Sequence, residues 1–333
     1  MKYQLFGHTG LNVSQIALGT GNFGTGWGYG SSVEESEAIF NAYIEAGGNF
    51  IDTADIYQFG QSEEFLGKLL TEKRDHVVLA TKFTNGAAPD ANPLVKGNSR
   101  KAMIYSVEQS LKRLKTDRID LYWVHHPDHV TPSEEILRGL EDLSRAGKIL
   151  YAGLSNFAAW RLARAVTLAE LNRTIPIAAA QFEHSLVHRE PELDLFPAAK
   201  ALNLGVVTWS PLGGGMLTGK YRQGETGRAE GFAGKVFQPE NTAQRTAILD
   251  TVLAIANELN ASPDQVAIAW ASTHGSVPII GPRSLKQLES NLNAVNVLLS
   301  NEHIDKLDVV SNISSLTKRA PYRDEPITPL TIA

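Results

Sequence analysis

Short runs of apolar residues alternate with segments of helical periodicity along almost the whole chain. This alternation is typical of parallel β-strands joined by crossover helices. Eight runs have the length and composition of buried strands: residues 15–18, 49–51, 77–81, 119–124, 149–154, 178–182, 206–209 and 277–280. Eight strand–helix units predict an α/β fold, a (β/α)8 TIM barrel, whose active site is built at the carboxyl ends of the strands.

Three of the segments between these runs carry clear helix start signals. Ser32, Ser99 and Ser133 each precede apolar residues that recur every three or four positions. This is the pattern of an amphipathic helix behind a serine N-cap. Gly47 and Gly147 stand where a glycine is expected just after a helix.

The two ends of the barrel are predicted to differ. Residues 3–7 and 11–15 form an expected short N-terminal β-hairpin that closes one end. A long loop, residues 211–240, follows the seventh barrel strand. No linker, internal repeat or low-complexity stretch interrupts the series, so we expect residues 1–333 to form a single domain.

Residues 19–24 spell G-x-G-x-x-G, the fingerprint of a Rossmann dinucleotide site. That fingerprint requires a helix that opens at the last glycine, so that helix N–H groups face the pyrophosphate. Residues 25–30 are too rich in glycine to hold a helix. The first N-cap is Ser32, with Glu35 placed to complete a capping box. We therefore interpret the stretch as a flexible loop on the substrate side.

Composition narrows the class of protein. The chain has 333 residues, 43% of them hydrophobic, which allows a large core. Its net charge is −5 without a basic run, which argues against nucleic-acid or acidic-membrane partners. It contains no cysteine, which excludes disulfides, thiolate metal sites and cysteine nucleophiles. Without the apolar core of a signal peptide or a membrane-length apolar run, we expect a soluble cytoplasmic protein.

Ionisable side chains follow neighbouring strands at the predicted catalytic end. Asp52 and Tyr57 come after the second strand, Lys82 after the third and His125 after the fourth. A tyrosine hydroxyl has a reference pKa of about 10, and lowering it by three units needs about 4 kcal/mol. One ammonium about 4 Å away supplies roughly that amount at an effective dielectric near 20. Lys82 could therefore activate Tyr57 as a proton donor.

The other two side chains complete this chemistry. Asp52 would keep Lys82 charged and oriented, while His125 could hydrogen-bond a substrate oxygen. The set suits protonation of a carbonyl oxygen while hydride is delivered to the carbon. Taken singly, each residue also has a structural interpretation, as a loop aromatic, an ion pair or a core histidine.

The pair His125 and His126 lies near Asp128, which raises the possibility of a metal site. Adjacent residues on a strand point to opposite faces, so the two imidazoles are not expected to share a metal ion. We therefore predict no metal site.

Several sequence blocks resemble the aldo-keto reductase superfamily, NAD(P)H-dependent carbonyl reductases on a (β/α)8 barrel, and in particular the branch that includes potassium-channel β subunits. Asp52, Tyr57, Lys82 and His125 match the family's catalytic tetrad in type, order and strand placement. The supporting blocks cover nearly the entire chain: GQSEEFLGKLL, DLYWVHHPD, GLSNF, QFEHSLVHR, WSPLGGGMLTGKY and GPRSLKQLESN. The resemblance implies that Tyr57 is the general acid, assisted by the other three residues.

The resemblance also implies a nicotinamide cofactor at the mouth of the barrel. Ser155, Asn156 and Gln181 would hold the carboxamide, and Trp209 would stack on the nicotinamide ring. A guanidinium matches phosphate geometry, so Arg283 favours NADPH and makes NADH less expected. The full implied set is Gly19, Thr20, Ser155, Asn156, Gln181, Trp209, Ser210, Pro211, Leu212, Gly214, Leu217, Gly219, Lys220, Gly281, Arg283, Ser284, Gln287 and Asn291.

Aromatic residues are expected to shape the substrate pocket: Phe23, Trp27, Tyr29, Phe83 and Trp123. Strand alternation places Trp123 on the side of His125, with His126 facing away. In a departure from the family pattern, Trp209 stands where tyrosine or phenylalanine is often found. In another, Ser290 replaces the glutamate that commonly precedes Asn291, which predicts a weaker adenine clamp.

The predicted function is reduction of an aldehyde or ketone by NADPH. Two alternatives remain open at this point: a Schiff-base aldolase that uses Lys82, and a cofactor-sensing regulatory subunit with slow turnover. The expected partner is a small-molecule carbonyl substrate. The sequence does not select one carbonyl compound, a physiological direction or an oligomeric state.

Overall fold

A computed structural model describes residues 1–225, 227 and 237–313. The remaining part of the predicted loop after the seventh barrel strand, and the segment from residue 314 onward, lie outside the described residues.

Eight parallel strands close into a barrel in the order β10-β3-β4-β5-β6-β7-β8-β9, behind an antiparallel hairpin of β1 and β2. This confirms the predicted TIM barrel with a short N-terminal hairpin. The strands are β1 (Tyr3–Leu5), β2 (Asn12–Ser14), β3 (Ala17–Gly19), β4 (Phe50–Asp52), β5 (Val78–Phe83), β6 (Ile119–Val124), β7 (Ile149–Ser155), β8 (Ile177–Glu183), β9 (Gly205–Trp209) and β10 (Val277–Ile280).

Helices surround the barrel, and none of those described is long and apolar enough to cross a membrane. They are α1 (Val33–Glu45), α2 (Gln61–Leu69), α3 (Arg100–Leu114), α4 (Ser133–Arg145), α5 (Ala159–Asn172), α6 (Leu195–Ala201), α7 (Ala243–Glu258), α8 (Pro263–Ser272), α9 (Leu285–Leu292) and α10 (Asn301–Val310). Residues 20–31 form a loop before α1, so the glycine-rich stretch opens no helix. The Rossmann interpretation is thereby excluded.

The predicted helix caps are confirmed in part. The Ser32 and Ser99 side chains accept hydrogen bonds from N–H groups in the first turns of α1 and α3. The predicted capping box at Ser32 is wrong, because the Glu35 carboxylate instead accepts a hydrogen bond from Leu285 N at 2.5 Å. Ser133 is the first residue of α4 rather than its cap, which is Pro132.

The predicted strand ends differ slightly from the observed ones. Lys82 lies inside β5, not beyond it, because the ladder with β6 continues and pairs Lys82 with Trp123. Hydrogen bonding sets the end of a strand, whereas the apolar run stops at the first charged residue. The consequence is that Lys82 stands on a rigid strand.

The barrel interior is filled with apolar side chains beneath the carboxyl ends of the strands. Phe6, from the N-terminal hairpin, packs edge-on against Phe50 of β4 at 5.5 Å between ring centroids. Trp123 is fully buried in the same cluster. Its ring occupies the space over Gly153 of β7, where a Cβ atom would lie 2.4 Å from the ring carbons.

This packing yields a stability prediction. Gly153→Ala should lower the free energy of unfolding by about 1–3 kcal/mol, because the added methyl group forces Trp123 out of place. Urea denaturation measures the change. Gly10→Ala is the control, since a Cβ there meets nothing within 4 Å. Equal stability of the Gly153→Ala variant and the unmodified chain would contradict the packing described.

Candidate active site

The carboxyl ends of the strands open into one cavity of about 750 Å³, within the size range of small-molecule sites. Tyr57, His125 and Asp52 lie at one part of it, and residues of α9 line another. The predicted cofactor residues that line it are Gly19, Asn156, Gln181, Trp209, Ser210, Pro211, Leu212, Gly214, Lys220, Gly281, Ser284, Gln287 and Asn291. The structure thus brings most of the predicted set together.

Lys82 is fully buried behind the cavity wall, at the centre of a polar cluster that includes the wall residues Asp52 and Tyr57. Its Nζ atom donates to Tyr57 Oη at 3.1 Å and to the Thr53 carbonyl at 2.9 Å, and it forms an ion pair with Asp52 Oδ1. The second oxygen of Asp52 accepts from Gln181 Nε2 at 3.0 Å. Both charged side chains are buried, so each is held by direct partners rather than by water.

The chain after β4 follows β5 closely, and this brings Asp52 and Tyr57 to Lys82. Thr53 N donates to Ala80 O at 2.9 Å, and Asp55 N donates to Lys82 O at 3.0 Å. Tyr57 then begins a short 3-10 turn, Tyr57–Gly60. Backbone hydrogen bonds therefore place the phenol beside the ammonium.

Gln58 joins this turn to the glycine-rich loop above the site. Its Nε2 atom donates to Gly21 O at 2.9 Å and to Tyr29 O at 3.0 Å, while its Oε1 atom accepts from Trp27 N at 2.9 Å. Gln58 has a φ of 53°, a left-handed conformation that is rare outside glycine. The three side-chain hydrogen bonds to the loop offset the cost of the left-handed backbone at Gln58.

The charge states of Lys82 and His125 are set by their surroundings. Burial lowers the pKa of Lys82, but the Asp52 carboxylate and Tyr57 raise it more, so the net pKa lies above its usual value. Burial and then the Lys82 charge hold the pKa of His125 well below its usual range. The site therefore pairs a fixed ammonium with a neutral imidazole.

His126 does not face away from the site, as strand alternation predicted. It lines the cavity, with its ring stacked on His125 at 4.4 Å between centroids and 14° between planes. The prediction was wrong because β6 ends at Val124, so the alternation of a strand does not extend to these two residues.

Asn156 connects His126 to Trp209. Its φ of 61° is one that asparagine adopts more readily than most residues. The Asn156 Oδ1 atom accepts from Trp209 Nε1 at 3.1 Å, and its Nδ2 atom lies 2.9 Å from His125 O and 3.1 Å from His126 Nδ1. Trp209 is thus fixed at the cavity wall by a direct side-chain bond.

A carboxylate that was not predicted lies at the α9 part of the cavity. Asp264, from α8, accepts from Asn291 Nδ2 at 2.7 Å and from Ser290 Oγ at 2.8 Å, and it lines the cavity. Asp264 therefore places a carboxylate beside Ser290, the position where the family pattern has a glutamate. No local sequence pattern predicts this contact, since Asp264 and Asn291 lie on different helices.

Some predicted residues lie outside the cavity lining. Thr20, Ser155, Leu217, Gly219 and Arg283 are not among the residues that form the wall. The Arg283 guanidinium lies over the ring of Tyr29 at 4.6 Å. Lys286, which was not predicted, is a cation that does line the cavity.

Two of the five aromatic residues predicted for the substrate pocket, Trp27 and Tyr29, line the cavity. Phe23 is buried in the cluster that includes residues of α1, and Trp123 fills the barrel interior. Phe83 points outward and stacks on Tyr122 at 5.2 Å, because Lys82 before it points inward. The structure therefore gives Phe23, Phe83 and Trp123 packing roles.

A separate cluster of potential metal-ligand side chains contains His184, Glu192 and His274. The Glu192 carboxylate is already bound through both oxygens by Arg189, at 2.8 and 2.6 Å, and it accepts from His184 Nε2 at 2.8 Å. We interpret the cluster as a hydrogen-bonded network between the loop after β8 and α8.

Comparison with known proteins agrees with this geometry. The family model described as "Aldo/keto reductase family" matches residues 15–312. The chain belongs to the aldo/keto reductase family. The match covers all eight barrel strands and every residue of the cluster around Lys82.

The alignments of this aldo/keto reductase with its relatives cover nearly the whole length of both proteins. "Uncharacterized oxidoreductase YrpG" of Bacillus subtilis is 36% identical, over 92% of this chain and 95% of that protein. "Aldo-keto reductase yakc [NADP(+)]" of Schizosaccharomyces pombe is 33% identical, over 93% of each. "Probable voltage-gated potassium channel subunit beta" of Oryza sativa subsp. japonica is 34% identical, over 96% and 98%.

Behind the site, this aldo/keto reductase buries a second carboxyl group, Asp55. Neither of its oxygens has a hydrogen-bond partner among the described residues. Burial, followed by the nearby charge of Glu63, raises the pKa of Asp55 to about 7, with partial opposition from Arg113. Between about pH 4 and pH 7 the folded chain therefore holds a proton that the unfolded chain releases.

Asp55 should make stability depend on pH. The pKa of Asp55 is higher in the folded chain than in the unfolded chain. The free energy of unfolding therefore falls as pH rises from about 4 to about 7, and above that range this loss stays constant. The free energy of unfolding of Asp55→Asn, relative to that of the unmodified chain, should therefore rise by up to about 4 kcal/mol between about pH 4 and pH 8. Urea denaturation across pH tests this, with exposed Asp305→Asn as the control. Parallel pH profiles for Asp55→Asn and the unmodified chain would contradict it.

Proposed function

We propose that this protein reduces an aldehyde or ketone to an alcohol with NADPH as hydride donor, and that Tyr57 supplies the proton. The supporting observation is the contact of 3.1 Å between the buried Lys82 Nζ and the Oη atom of Tyr57, which lines the cavity. Family membership supports an oxidoreductase in general. The roles of individual residues, the cofactor and the substrate class belong to this proposal.

The cavity wall suits a long dinucleotide. Gly214 and Gly215 have φ values of 66° and 94° and line the cavity, so backbone there can approach a ligand without side chains. Lys220 and Lys286 provide positive charge along the wall. Asp264 and Asn291 offer an acceptor and an amide at the α9 part, which suits a base with an exocyclic amino group.

Bound NADPH would supply hydride to the carbonyl carbon, and the chain would supply the proton to the carbonyl oxygen. As the Tyr57 hydroxyl gives up its proton, the Lys82 ammonium stabilises the negative charge that forms on Oη. Asp52 keeps Lys82 protonated and oriented. The three side chains therefore act as one proton-donating unit.

His125 has a complementary role in this proposal. Its low pKa keeps the imidazole neutral, so it can donate one hydrogen bond without competing with Tyr57 as an acid. Its ring lies edge-on to the Tyr57 ring at 5.9 Å between centroids. We infer that the carbonyl oxygen binds between the two side chains and is oriented by both.

The aldolase alternative has less support. A Schiff base requires an uncharged lysine, but the pKa of Lys82 is raised, and its ammonium is bonded to Asp52, Thr53 O and Tyr57. The regulatory-subunit alternative has the rice relative in its favour. An assay of NADPH oxidation by the purified chain with a panel of aldehydes and ketones distinguishes a reductase from a regulatory subunit. Rapid turnover without a partner protein favours the reductase.

Loss of the phenol should abolish reduction while leaving the cofactor site intact. Tyr57→Phe should lower kcat by about 10²–10⁴-fold with any reducible carbonyl, because it removes the proton donor. The Kd of NADPH, measured by fluorescence titration, should stay within about twofold. Retention of full activity by Tyr57→Phe would show that another group donates the proton.

The preference for NADPH can be tested at the two cations beside α9. Lys286→Ala, which removes a cation from the cavity wall, should raise the Kd of NADPH by about tenfold or more and leave the Kd of NADH nearly unchanged, since only NADPH carries the 2′-phosphate. Arg283→Ala should do the same if the guanidinium leaves the Tyr29 ring to meet that phosphate. Exposed Lys101→Ala is the control for loss of a surface charge. Equal effects on both cofactors would assign these cations to a part of the ligand that NADPH and NADH share.

A further inference from the structure

The Arg283 guanidinium, which is expected to recognise the 2′-phosphate of NADPH, lies over an aromatic ring rather than at the cavity wall. Its central carbon is 4.6 Å from the centroid of the Tyr29 ring. Tyr29 lines the cavity, whereas Arg283 is not among the described residues that do. A phosphate group in the cavity can therefore meet this cation only if the guanidinium moves.

Hydrogen bonds hold the backbone on both sides of this contact. Arg283 N donates to Gln287 Oε1 at 2.8 Å, and Arg283 O accepts from Ser31 Oγ at 2.9 Å. The Tyr29 carbonyl accepts from Gln58 Nε2 at 3.0 Å. The guanidinium can therefore leave the ring by rotation about the bonds of the Arg283 side chain, while the two backbone segments stay in place.

The cavity wall continues on either side of Arg283 in the sequence. Pro282 and Ser284 both line the cavity, as does Lys286 in the first turn of α9. The charged group of Arg283 is thus the part that is held away from a stretch of wall formed by its neighbours. A rotated side chain would add a second cation to the part of the wall where Lys286 lies.

The ring and a phosphate group differ in how strongly they hold a guanidinium. A cation over an aromatic face is a weak contact where water is near, whereas a bidentate pair with a phosphate combines opposite charge with two hydrogen bonds. NADPH can therefore take the guanidinium from the ring, but the cost of breaking the ring contact reduces its affinity. NADH carries no 2′-phosphate, so its binding does not require this exchange.

We propose that Tyr29 determines the cofactor preference of this protein by competing with the 2′-phosphate of NADPH for the Arg283 guanidinium. The competition makes the selection of NADPH over NADH weaker than Arg283 by itself would make it. This inference rests on the proposed function and adds to it a determinant of cofactor choice that lies in the loop before α1.

Binding measurements test the proposal without turnover. Isothermal titration calorimetry gives the Kd of NADPH and of NADH for the unmodified chain, Tyr29→Leu, Tyr29→Phe, Arg283→Ala and the double variant Tyr29→Leu/Arg283→Ala. Adenosine 2′,5′-bisphosphate and adenosine 5′-monophosphate form a second pair of probes that differs only in the 2′-phosphate. Circular dichroism confirms that each variant is folded.

Tyr29→Leu keeps an apolar side chain at the wall but has no aromatic face. The Kd of NADPH and of the bisphosphate should fall about three- to tenfold, while the Kd of NADH and of the monophosphate should stay within about twofold. Tyr29→Phe retains the aromatic face and should resemble the unmodified chain. A rise in the Kd of NADPH in Tyr29→Leu would show that the ring presents the guanidinium to the phosphate, and would overturn the proposal.

The double variant shows whether the ring acts through the guanidinium. When Arg283 is already alanine, Tyr29→Leu should leave the Kd of NADPH unchanged, because the competition no longer exists. A fall as large as the one in the presence of Arg283 would assign the effect to the ring itself and contradict the proposal. Tyr105→Leu removes an exposed tyrosine from α3 and should change none of the Kd values.

The same measurements separate this inference from the proposed function. Binding of neither NADPH nor NADH to the unmodified chain would overturn both. Binding of both cofactors, with the same ratio of Kd values in the unmodified chain and in Tyr29→Leu, would overturn only the role of Tyr29.

Discussion

A buried ammonium is the constraint on which the site depends. Moving a lysine charge out of water costs several kcal/mol unless close partners replace the water, and Lys82 has three: Asp52, the Thr53 carbonyl and Tyr57. Removing any one of these partners leaves the buried ammonium with a hydrogen-bond donor that has no acceptor. The arrangement that is proposed to donate a proton is therefore also the arrangement that makes burial of this charge tolerable.

The barrel provides the geometry that this constraint requires. Lys82 lies on a strand, and the chain after β4 follows that strand through backbone bonds until it reaches Tyr57. Gln58 then fixes the glycine-rich loop over the phenol. Rigid strands thus position the charged groups, while loops form the wall that meets a ligand, as is usual in TIM barrels.

The sequence was sufficient to predict the architecture and the proximity of Asp52, Tyr57, Lys82 and His125, because apolar runs and polar strand ends follow directly from burial. Prediction from the sequence failed where the placement of a side chain depends on another part of the chain. Alternation predicted the wrong side for His126 because the strand ends before it, and Phe83 was assigned to the cavity although its neighbour Lys82 points inward. Asp264 reaches Asn291 from another helix, which no local pattern reveals.

Lys82 is proposed to act through Tyr57, and a double-mutant cycle in kcat tests this most directly. Tyr57→Phe, Lys82→Met and the double variant are compared with the unmodified chain, with circular dichroism confirming that each is folded. If the ammonium serves the phenol, the double variant should be within about threefold of Tyr57→Phe, since residues that act as a unit are not additive. Losses that multiply would show that Lys82 and Tyr57 contribute independently, and would contradict the account.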